Sequence, residues 1–266
     1  MTEAQVILET RDLSRHFGGL KAVDGVNLQI YQGELHSIIG PNGAGKTTLF
    51  NLLSSTLKPT RGRVFFKGRD ITHLPPYRMA HLGIGRSYQI TNIFPSLTVF
   101  ENVRVAVQAL GKHNFNPLTP IEQFQEYREQ ALEALELTGL THVAAVPALA
   151  LSHGDKRKLE LAILLAQNPE LLLLDEPTSG LAGEDVPEFM QLIERIHRQG
   201  QKTTVLVEHN MNVVMSLSDR ITVMHQGQIL AVGTPQEISQ NPEVQKAYLG
   251  EMYAGIEQAG PGGEMA

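Results

Sequence analysis

The sequence predicts an α/β fold in which a parallel sheet is covered on both faces by helices. Short continuous apolar runs, LLLLD at 171–175 and TTVLVE at 203–208, are typical of strands buried on both faces. Segments with helical periodicity alternate with these runs, and an earlier apolar run leads into a glycine-rich loop that opens a helix. We expect a small antiparallel sheet from the N-terminal part and a helical insertion at about residues 91–165 to be added to this core.

The first part of the chain is expected to be rich in strands. Residues 1–35 alternate apolar and polar side chains, with turns predicted at Gly18-Gly19 and at Gly25. The elements that follow in chain order are a strand at Leu35–Ile39, a helix at Thr47–Leu57 and strand alternation at Arg63–Ile71 with a turn at Lys67-Gly68.

The second part is mainly helical before the sheet resumes. From about Val99 to Leu140 the periodicity is helical, with a loop at GKHNFNPLTP, and Gly139 suits a helix end. The remaining elements are a helix that begins at Ser152, the strand at 171–175, a helix near Asp185–Gln199, the strand at 203–208, a helix near Met211–Leu217 and a hairpin that turns at Gln226-Gly227. We expect residues 1–252 to form a single domain and the Gly-rich tail at 253–266 to be disordered.

Composition excludes several classes of protein. The chain has 266 residues, 42% hydrophobic and 19% charged, which is an ordinary globular balance. Its net charge of -6 argues against a general nucleic-acid binder, and the absence of cysteine excludes disulfides and thiolate zinc sites. No apolar run approaches the ~18 residues that cross a bilayer, and the start MTEAQVILETRD lacks a secretory pattern. We therefore expect a cytoplasmic chain that works at a membrane only through a partner.

A glycine-rich loop follows the strand at 35–39. The segment that fits G-x4-G-K-[ST] is Gly40-Pro41-Asn42-Gly43-Ala44-Gly45-Lys46-Thr47, and Thr48 follows it. Such a loop needs glycine because its main chain curls around phosphate with the N–H groups pointing inward. Lys46 would reach the β- and γ-phosphates, and the Thr47 hydroxyl would ligate Mg²⁺. The loop predicts a P-loop NTPase (RecA-like) core that binds phosphate.

Polar residues at the ends of later strands suggest the chemistry. Asp175 would hold Mg²⁺ through water, and Glu176 would act as general base on the attacking water. An acidic turn after a strand is common, so this interpretation depends on the phosphate loop. His209 follows the strand at 203–208 and could donate a hydrogen bond to the γ-phosphate.

Two further candidates have simple structural alternatives. Phe17 precedes Gly18-Gly19 and could stack on an adenine ring, although core packing is the commoner role for such a residue. Gln89 follows the short run at 84–88 and alone is a weak signal.

The stretch LSHGD at 151–155 predicts a helix start. Ser152 and Asp155 fit a Ser-x-x-Asp capping box. A helix N-terminus with free amides and a positive dipole end is also an anion site. Because a carboxylate repels phosphate, we expect Asp155 to face its own backbone or a cation such as Lys156 or Lys158.

The order of these motifs resembles that of the ATP-binding subunits of ABC transporters over residues 5–250. The resemblance implies that Phe17 stacks on adenine, that Gln89 touches Mg²⁺ and links the site to a membrane subunit, and that His209 is the switch histidine. It also implies that LSHGD corresponds to the signature LSGGQ, in which Leu151, Ser152, His153, Gly154 and Asp155 contact the ATP of a partner subunit. Such subunits work as head-to-tail pairs that close on MgATP.

A narrower resemblance concerns residues 68–103, GRDITHLPPYRMAHLGIGRSYQITNIFPSLTVFENV, and AYLGE at 247–251. These segments are similar to the ATPases of branched-chain and hydrophobic amino-acid importers of prokaryotes, the LivG-like group. The resemblance implies a complex of two ATPases, favoured as different chains, with two transmembrane permease subunits and an external solute-binding protein. The chain would then lie on the inner face of the cell membrane.

This sequence departs from the family pattern at three positions. His153 stands where the family usually has Gly, and Asp155 where it usually has Gln. Ala182, in the loop after the 171–175 strand, stands where Asp or Asn is frequent and normally bridges to the opposite subunit.

Four alternatives remain open at this point. The same machinery could import urea or amides, because importers of those solutes share the architecture. An exporter or lipid-extraction ATPase is a second alternative. A soluble ABC ATPase of DNA repair or translation is a third, although no coiled coil, zinc module or second ATPase is visible. A degenerate site without turnover is a fourth, and the presence of Lys46, Glu176 and His209 argues against it.

Overall fold

The computed structural model describes residues 5–87, 93–111, 125–200 and 202–248. The strands are β1 (Val6–Phe17), β2 (Leu20–Val26), β3 (Gln29–Tyr31), β4 (Leu35–Ile39), β5 (Arg61–Phe66), β6 (Arg69–Asp70), β7 (Ile84–Arg86), β8 (Leu171–Asp175), β9 (Thr203–Val207), β10 (Arg220–His225) and β11 (Gln228–Gly233). The helices are α1 (Lys46–Leu53), α2 (Pro76–His81), α3 (Val99–Leu110), α4 (Gln125–Leu137), α5 (His153–Leu165), α6 (Asp185–Gly200), α7 (Met211–Leu217) and α8 (Pro235–Gln240).

The central sheet confirms the predicted α/β fold. Its strand order is β11-β10-β4-β9-β8-β7, and every pair from β10 to β7 is parallel. Side chains of β8 alternate between two apolar clusters, with Leu171 and Leu173 beside α1 and with Leu172 and Leu174 beside α5 and α6. Both faces are therefore buried, which explains why these strands are continuously apolar.

A second, antiparallel sheet comes from the N-terminal part, as predicted. Its order is β2-β1-β5-β6, and β3 also pairs with β1. The prediction of a turn at Gly25 was wrong, because Gly25 lies inside β2 with φ +68. The pairing register shifts there, and the Gly25 N–H bonds to the Ser14 hydroxyl at 2.8 Å. The glycine thus serves a bulge in the strand.

The helices α3, α4 and α5 share an apolar cluster of their own, which includes Val103, Ala131 and Leu159. Helix α5 also packs its opposite face, through Leu161 and Leu165, against the central sheet and α6. It is therefore the element that joins the helical insertion to the sheet. The predicted loop at 111–120 lies, apart from Gly111, outside the described residues.

Several boundaries differ from the sequence predictions. Helix α1 ends at Leu53 rather than Leu57, because Ser55 takes a φ of +57 that a helix cannot continue through. Helices α2 and α8, together with helical residues 242–248, were not predicted. The tail at 253–266 is not among the described residues.

The hairpin β10–β11 turns at Gln226-Gly227, as predicted, with φ +48 and +80. Two consecutive positive φ values are typical of a type I′ turn, whose twist matches that of the strands. Within the described ranges, no helix is long and apolar enough to cross a membrane.

Candidate active site

The glycine-rich loop lies between β4 and α1, at the carboxyl end of the parallel sheet. Gly40 has φ +152 and Gly45 has φ +99. A Cβ at Gly40 would collide with the main-chain oxygen of Met224, and one at Gly45 with that of Ala22. Both glycines are therefore required for the loop to pass between β2 and β10, apart from any need of a ligand.

Lys46 is held inside this loop. Its side chain is buried, and Nζ donates to the carbonyl oxygens of Gly40 at 2.5 Å and Pro41 at 2.9 Å. The N–H of Ala44 donates to the Pro41 oxygen at 3.1 Å, which closes the turn. Of the neighbouring residues, Asn42, Gly43 and Thr47 are exposed and Thr48 is half-buried.

The β1–β2 hairpin borders the loop. The Ala44 oxygen accepts from the Gly227 N–H at 3.0 Å, and the Gly227 oxygen accepts from the Asp24 N–H of β2 at 2.8 Å. Phe17 ends β1 and its ring is 45% exposed, with the Arg15 guanidinium carbon 4.6 Å from the ring centre. The core-packing alternative for Phe17 is thus wrong, and its stacking on adenine stays a prediction.

Asp175 ends β8 and is buried. Its N–H donates to the Ser87 hydroxyl at 3.0 Å, whereas its Oδ1 has no hydrogen-bond partner among the described residues. Burial raises the pKa of the Asp175 carboxyl; the Arg86 and His209 charges oppose this shift and the Glu176 charge adds to it. An ionised Asp175 in this position is short of positive charge, and a cation would supply it.

Glu176 and His209 meet at the carboxyl edge of the sheet. Oε1 of Glu176 lies 2.9 Å from Nε2 of His209, with the side chains 25% and 49% exposed. Glu176 adopts φ +46, which is uncommon for a residue with a Cβ, and its N–H donates to the Val207 oxygen at 2.9 Å. This backbone conformation turns the chain out of β8 and keeps the carboxylate near the surface.

The sequence reasoning missed the buried residue that supports this pair. Glu208 accepts hydrogen bonds from the Thr178 N–H at 3.1 Å and the Thr178 hydroxyl at 2.5 Å, and from the His209 N–H at 3.1 Å. One carboxylate thereby joins the loop after β8 to the loop after β9. Glu208 could have been identified from the sequence as an acidic residue that stands directly after an apolar strand and directly before His209.

The signature stretch opens α5. Ser152 is the N-cap, and its hydroxyl oxygen accepts from the Asp155 N–H at 3.0 Å. The Asp155 carboxylate accepts from the Ser152 hydroxyl at 2.9 Å, so the expectation that it would face its own backbone or Lys156 or Lys158 was wrong. The Ser152 hydroxyl takes the place of the expected partner, and Lys158 bonds to Glu188 instead. Only half of the predicted capping box therefore forms.

Two further signature residues lie close to the segment that follows β8: His153 to the loop at Gly180, and Gly154 to Asp185 at the start of α6. A Cβ at Gly180 would lie 3.0 Å from Nε2 of His153, and one at Gly154 would lie 3.6 Å from Oδ2 of Asp185. Leu151 is buried in the helical cluster, while His153 is exposed. Ala182, at the family position of a bridging acid or amide, is also exposed.

These residues have the chemical character that a magnesium nucleotide requires. The loop at residues 40–47 lies between a strand of the parallel sheet and the start of a helix, where phosphate groups commonly bind. Hydroxyl and carboxylate oxygens such as those of Thr47 and Asp175 are the ligands that Mg²⁺ prefers. Gln89, the third predicted metal contact, lies outside the described residues. A carboxylate held by an imidazole beside such a loop is suited to activate water.

Comparison with known proteins identifies the family. The family model for ABC transporters matches residues 23–179, and the model for branched-chain amino acid ATP-binding cassette transporters matches residues 228–254. The chain is 42% identical over 253 residues to the high-affinity branched-chain amino acid transport ATP-binding protein LivG of Escherichia coli, covering 93% of this chain and 99% of the relative.

Solved structures agree with this result. A crystal structure of an ATP-binding cassette of an ABC transporter in its ADP conformation has a TM-score of 0.81 and 32% identity, covering 92% of this chain and 99% of that one. A dimeric post-hydrolysis cassette bound to ADP and Pi has a TM-score of 0.72 and 28% identity, covering 86% and 99%. The chain therefore belongs to the ABC transporter family as an ATP-hydrolysing cassette subunit, in the branch that holds the branched-chain amino-acid transport proteins.

Proposed function

We propose that this chain hydrolyses MgATP to drive the import of branched-chain or other hydrophobic amino acids. The observation that carries the hydrolysis is the 2.9 Å contact between Glu176 and His209, at the same edge of the sheet as the phosphate loop, and the import of amino acids follows from the relatives. General base catalysis needs a carboxylate that is oriented and accessible to water. Glu176 is part-exposed and held by an imidazole, so it meets both conditions.

The chain's own residues would act as follows. Main-chain N–H groups of residues 40–47 and the Lys46 ammonium would bind the phosphates. Glu176 would accept a proton from water as the water oxygen bonds to the γ-phosphorus, and the bond from that phosphorus to the β–γ bridging oxygen would break. His209, with its proton on Nε2, would orient the Glu176 carboxylate, and the γ-phosphate would share that one N–H as a second acceptor.

Mg²⁺ would be held by Thr47 and by Asp175 through water, with Gln89 as a further ligand, and would neutralise the charge that develops on the phosphate oxygens. The buried Asp175 carboxylate, whose pKa is raised by desolvation, supports this assignment, because a nearby cation would stabilise its ionised form. Phe17, on the exposed end of the β1–β2 hairpin, would stack on the adenine ring.

The signature residues would complete a site in another subunit. Ser152 and His153 are exposed at the start of α5, where Ser152 bonds to Asp155 and His153 lies beside Gly180 of the loop after β8. A dimeric relative with ADP and Pi bound supports a pair of cassettes that share their nucleotides. We propose that this chain pairs with a second ATPase and docks two permease subunits at the inner face of the membrane.

The solute assignment follows the relatives. LivG of Escherichia coli is named as a branched-chain amino-acid transport protein, and it aligns over nearly its whole length. The test is co-expression of the chain with the genes beside its own, followed by purification and reconstitution in vesicles. We expect two membrane subunits to co-purify and leucine uptake to require ATP and an external binding protein. Purification as a free enzyme, or uptake of urea or amides alone, would contradict the proposal.

A further inference from the structure

A small cavity lies between Asp175, the proposed Mg²⁺ ligand, and α5, the helix that begins at the signature stretch and is called the signature helix below. It has a volume of about 20 Å³, and its polar lining consists of Asp175, Ser87, Arg157 and Glu160. Apolar side chains line the rest, among them Leu161 of α5, Phe189 of α6 and Leu174 of β8. One water needs roughly 10–15 Å³ and two to four polar partners, so this cavity is large enough for a single molecule.

Three buried atoms of these side chains have no hydrogen-bond partner in the described parts of the chain. They are Oδ1 of Asp175, Oε1 of Glu160 and Nε of Arg157. Buried polar atoms are nearly always hydrogen-bonded, because an unpaired one costs roughly 1–3 kcal/mol. The three residues line the same cavity, and one water in it could donate to both carboxylate oxygens and accept from the guanidinium N–H.

Arg157 also reaches the loop that follows β8. Its Nη1 donates to Oε2 of Glu160 at 2.9 Å, and its Nη2 donates to the Ser179 oxygen at 2.9 Å. The Arg157 and Glu160 side chains are only 12% and 15% exposed, so the pair is held in place. One guanidinium thus joins the signature helix to the loop between Asp175 and the exposed Ala182.

We propose that this cavity is a water site that bridges Asp175 to the Arg157–Glu160 pair, and that Arg157 is a positioning residue for the metal-site carboxylate. The assignment rests on the proposed role of Asp175 at Mg²⁺. The water site would connect the metal site of a cassette with the signature stretch of the same cassette. That signature stretch, in turn, is proposed to contact the ATP bound by the partner cassette. Outer partners of metal ligands typically change metal affinity 10–100-fold when removed.

The test measures binding of a fluorescent ATP analogue to the purified chain with and without MgCl₂. We expect Arg157→Gln and Glu160→Leu to leave the Mg²⁺-free Kd within about twofold and to weaken the Mg²⁺-dependent gain in affinity about tenfold. Glu160→Gln, which keeps an acceptor oxygen, is expected to stay within about threefold. Lys158→Gln is the matched control, because Lys158 lies on the same helix but pairs with Glu188.

The proposal would be overturned if Mg²⁺ improved the affinity for the ATP analogue as much in Arg157→Gln and Glu160→Leu as in the wild type. It would also be overturned if these variants lost the same affinity with and without Mg²⁺, because such a loss indicates a general structural role. If Arg157→Gln does not fold, Glu160→Leu and Glu160→Gln decide the question. A crystal structure that resolves ordered water is expected to place one within hydrogen-bond distance of Asp175 Oδ1, and a water-free cavity would overturn the water site. Failure of the wild-type chain to bind ATP would instead contradict the proposed function.

Discussion

Glu176 Oε1 and His209 Nε2 lie 2.9 Å apart, although 33 positions separate the two residues in the chain. Strands β8 and β9 are adjacent and parallel, so their carboxyl ends lie at the same edge of the sheet. Buried Glu208 then ties the two following loops together through Thr178 and the His209 N–H. The pair is therefore a product of sheet topology and of one buried carboxylate.

Replacement of His209 tests whether the imidazole orients the base. We expect His209→Ala to lower the kcat of ATP hydrolysis about 100-fold with little change in KM, because phosphate binding by the glycine-rich loop is untouched. His142→Ala is a suitable control, since His142 is an exposed histidine bonded only to the Gly139 oxygen among the described residues. A His209→Ala variant with normal kcat would remove His209 from the mechanism.

The glycines of the loop give a prediction about stability. Gly45→Ala places a Cβ against the Ala22 oxygen at φ +99, which we expect to lower the melting temperature by about 3–8 °C and to abolish ATP binding. Gly19→Ala is the control, because a Cβ there meets no atom within 4 Å. Differential scanning calorimetry checks the pair, and equal melting temperatures would contradict the packing described for the loop.

Asp155 is expected to matter little for turnover. Its carboxylate accepts from the Ser152 hydroxyl, and the amide oxygen of glutamine can accept the same bond. Asp155→Gln should therefore leave the ATPase rate of the assembled transporter within a few-fold. A change of tenfold, equivalent to ~1.4 kcal/mol of barrier, would show that the carboxylate acts on phosphate.

Asp175 predicts how stability depends on pH. Because burial raises its pKa in the folded chain, its contribution to stability is greatest below the pKa of the unfolded chain and is lost as pH rises through the folded value. Asp175→Asn should then melt at a higher temperature than the wild type at about pH 7.5 without Mg²⁺. The difference between the two melting temperatures should narrow as pH falls toward about 4, where the Asp175 carboxyl of the folded wild type is neutral like the amide of the variant. A difference in melting temperature that widens on acidification would contradict a raised pKa of Asp175 in the folded chain.

Much of the fold was predictable because its signals are local. Continuous apolar runs identified β8 and β9, and the G-x4-G-K-T spacing located the loop without knowledge of its neighbours. Helix α8 was missed although it also has local signals. Thr234 and Glu237 form a capping box, and Pro235 occupies the first helical position.

The contacts that complete the site were not predictable in the same way. Arg157 bonds to Ser179, 22 residues away, and Glu208 bonds to Thr178, 30 residues away. Neither residue type indicates its partner, because the partner depends on how α5 and the loops pack on the sheet. The Asp155 prediction was wrong for a related reason, since the choice among nearby donors depends on the side-chain conformation at the helix end.

The most direct test of the central claim is the rate of MgATP hydrolysis by Glu176→Gln in the assembled transporter, measured together with the Kd for MgATP. Glutamine keeps the size of the side chain and its contact with His209 but cannot accept the proton from water. We predict that hydrolysis falls at least about 100-fold while the Kd stays within about threefold. Undiminished hydrolysis would contradict the assignment of Glu176 as the base.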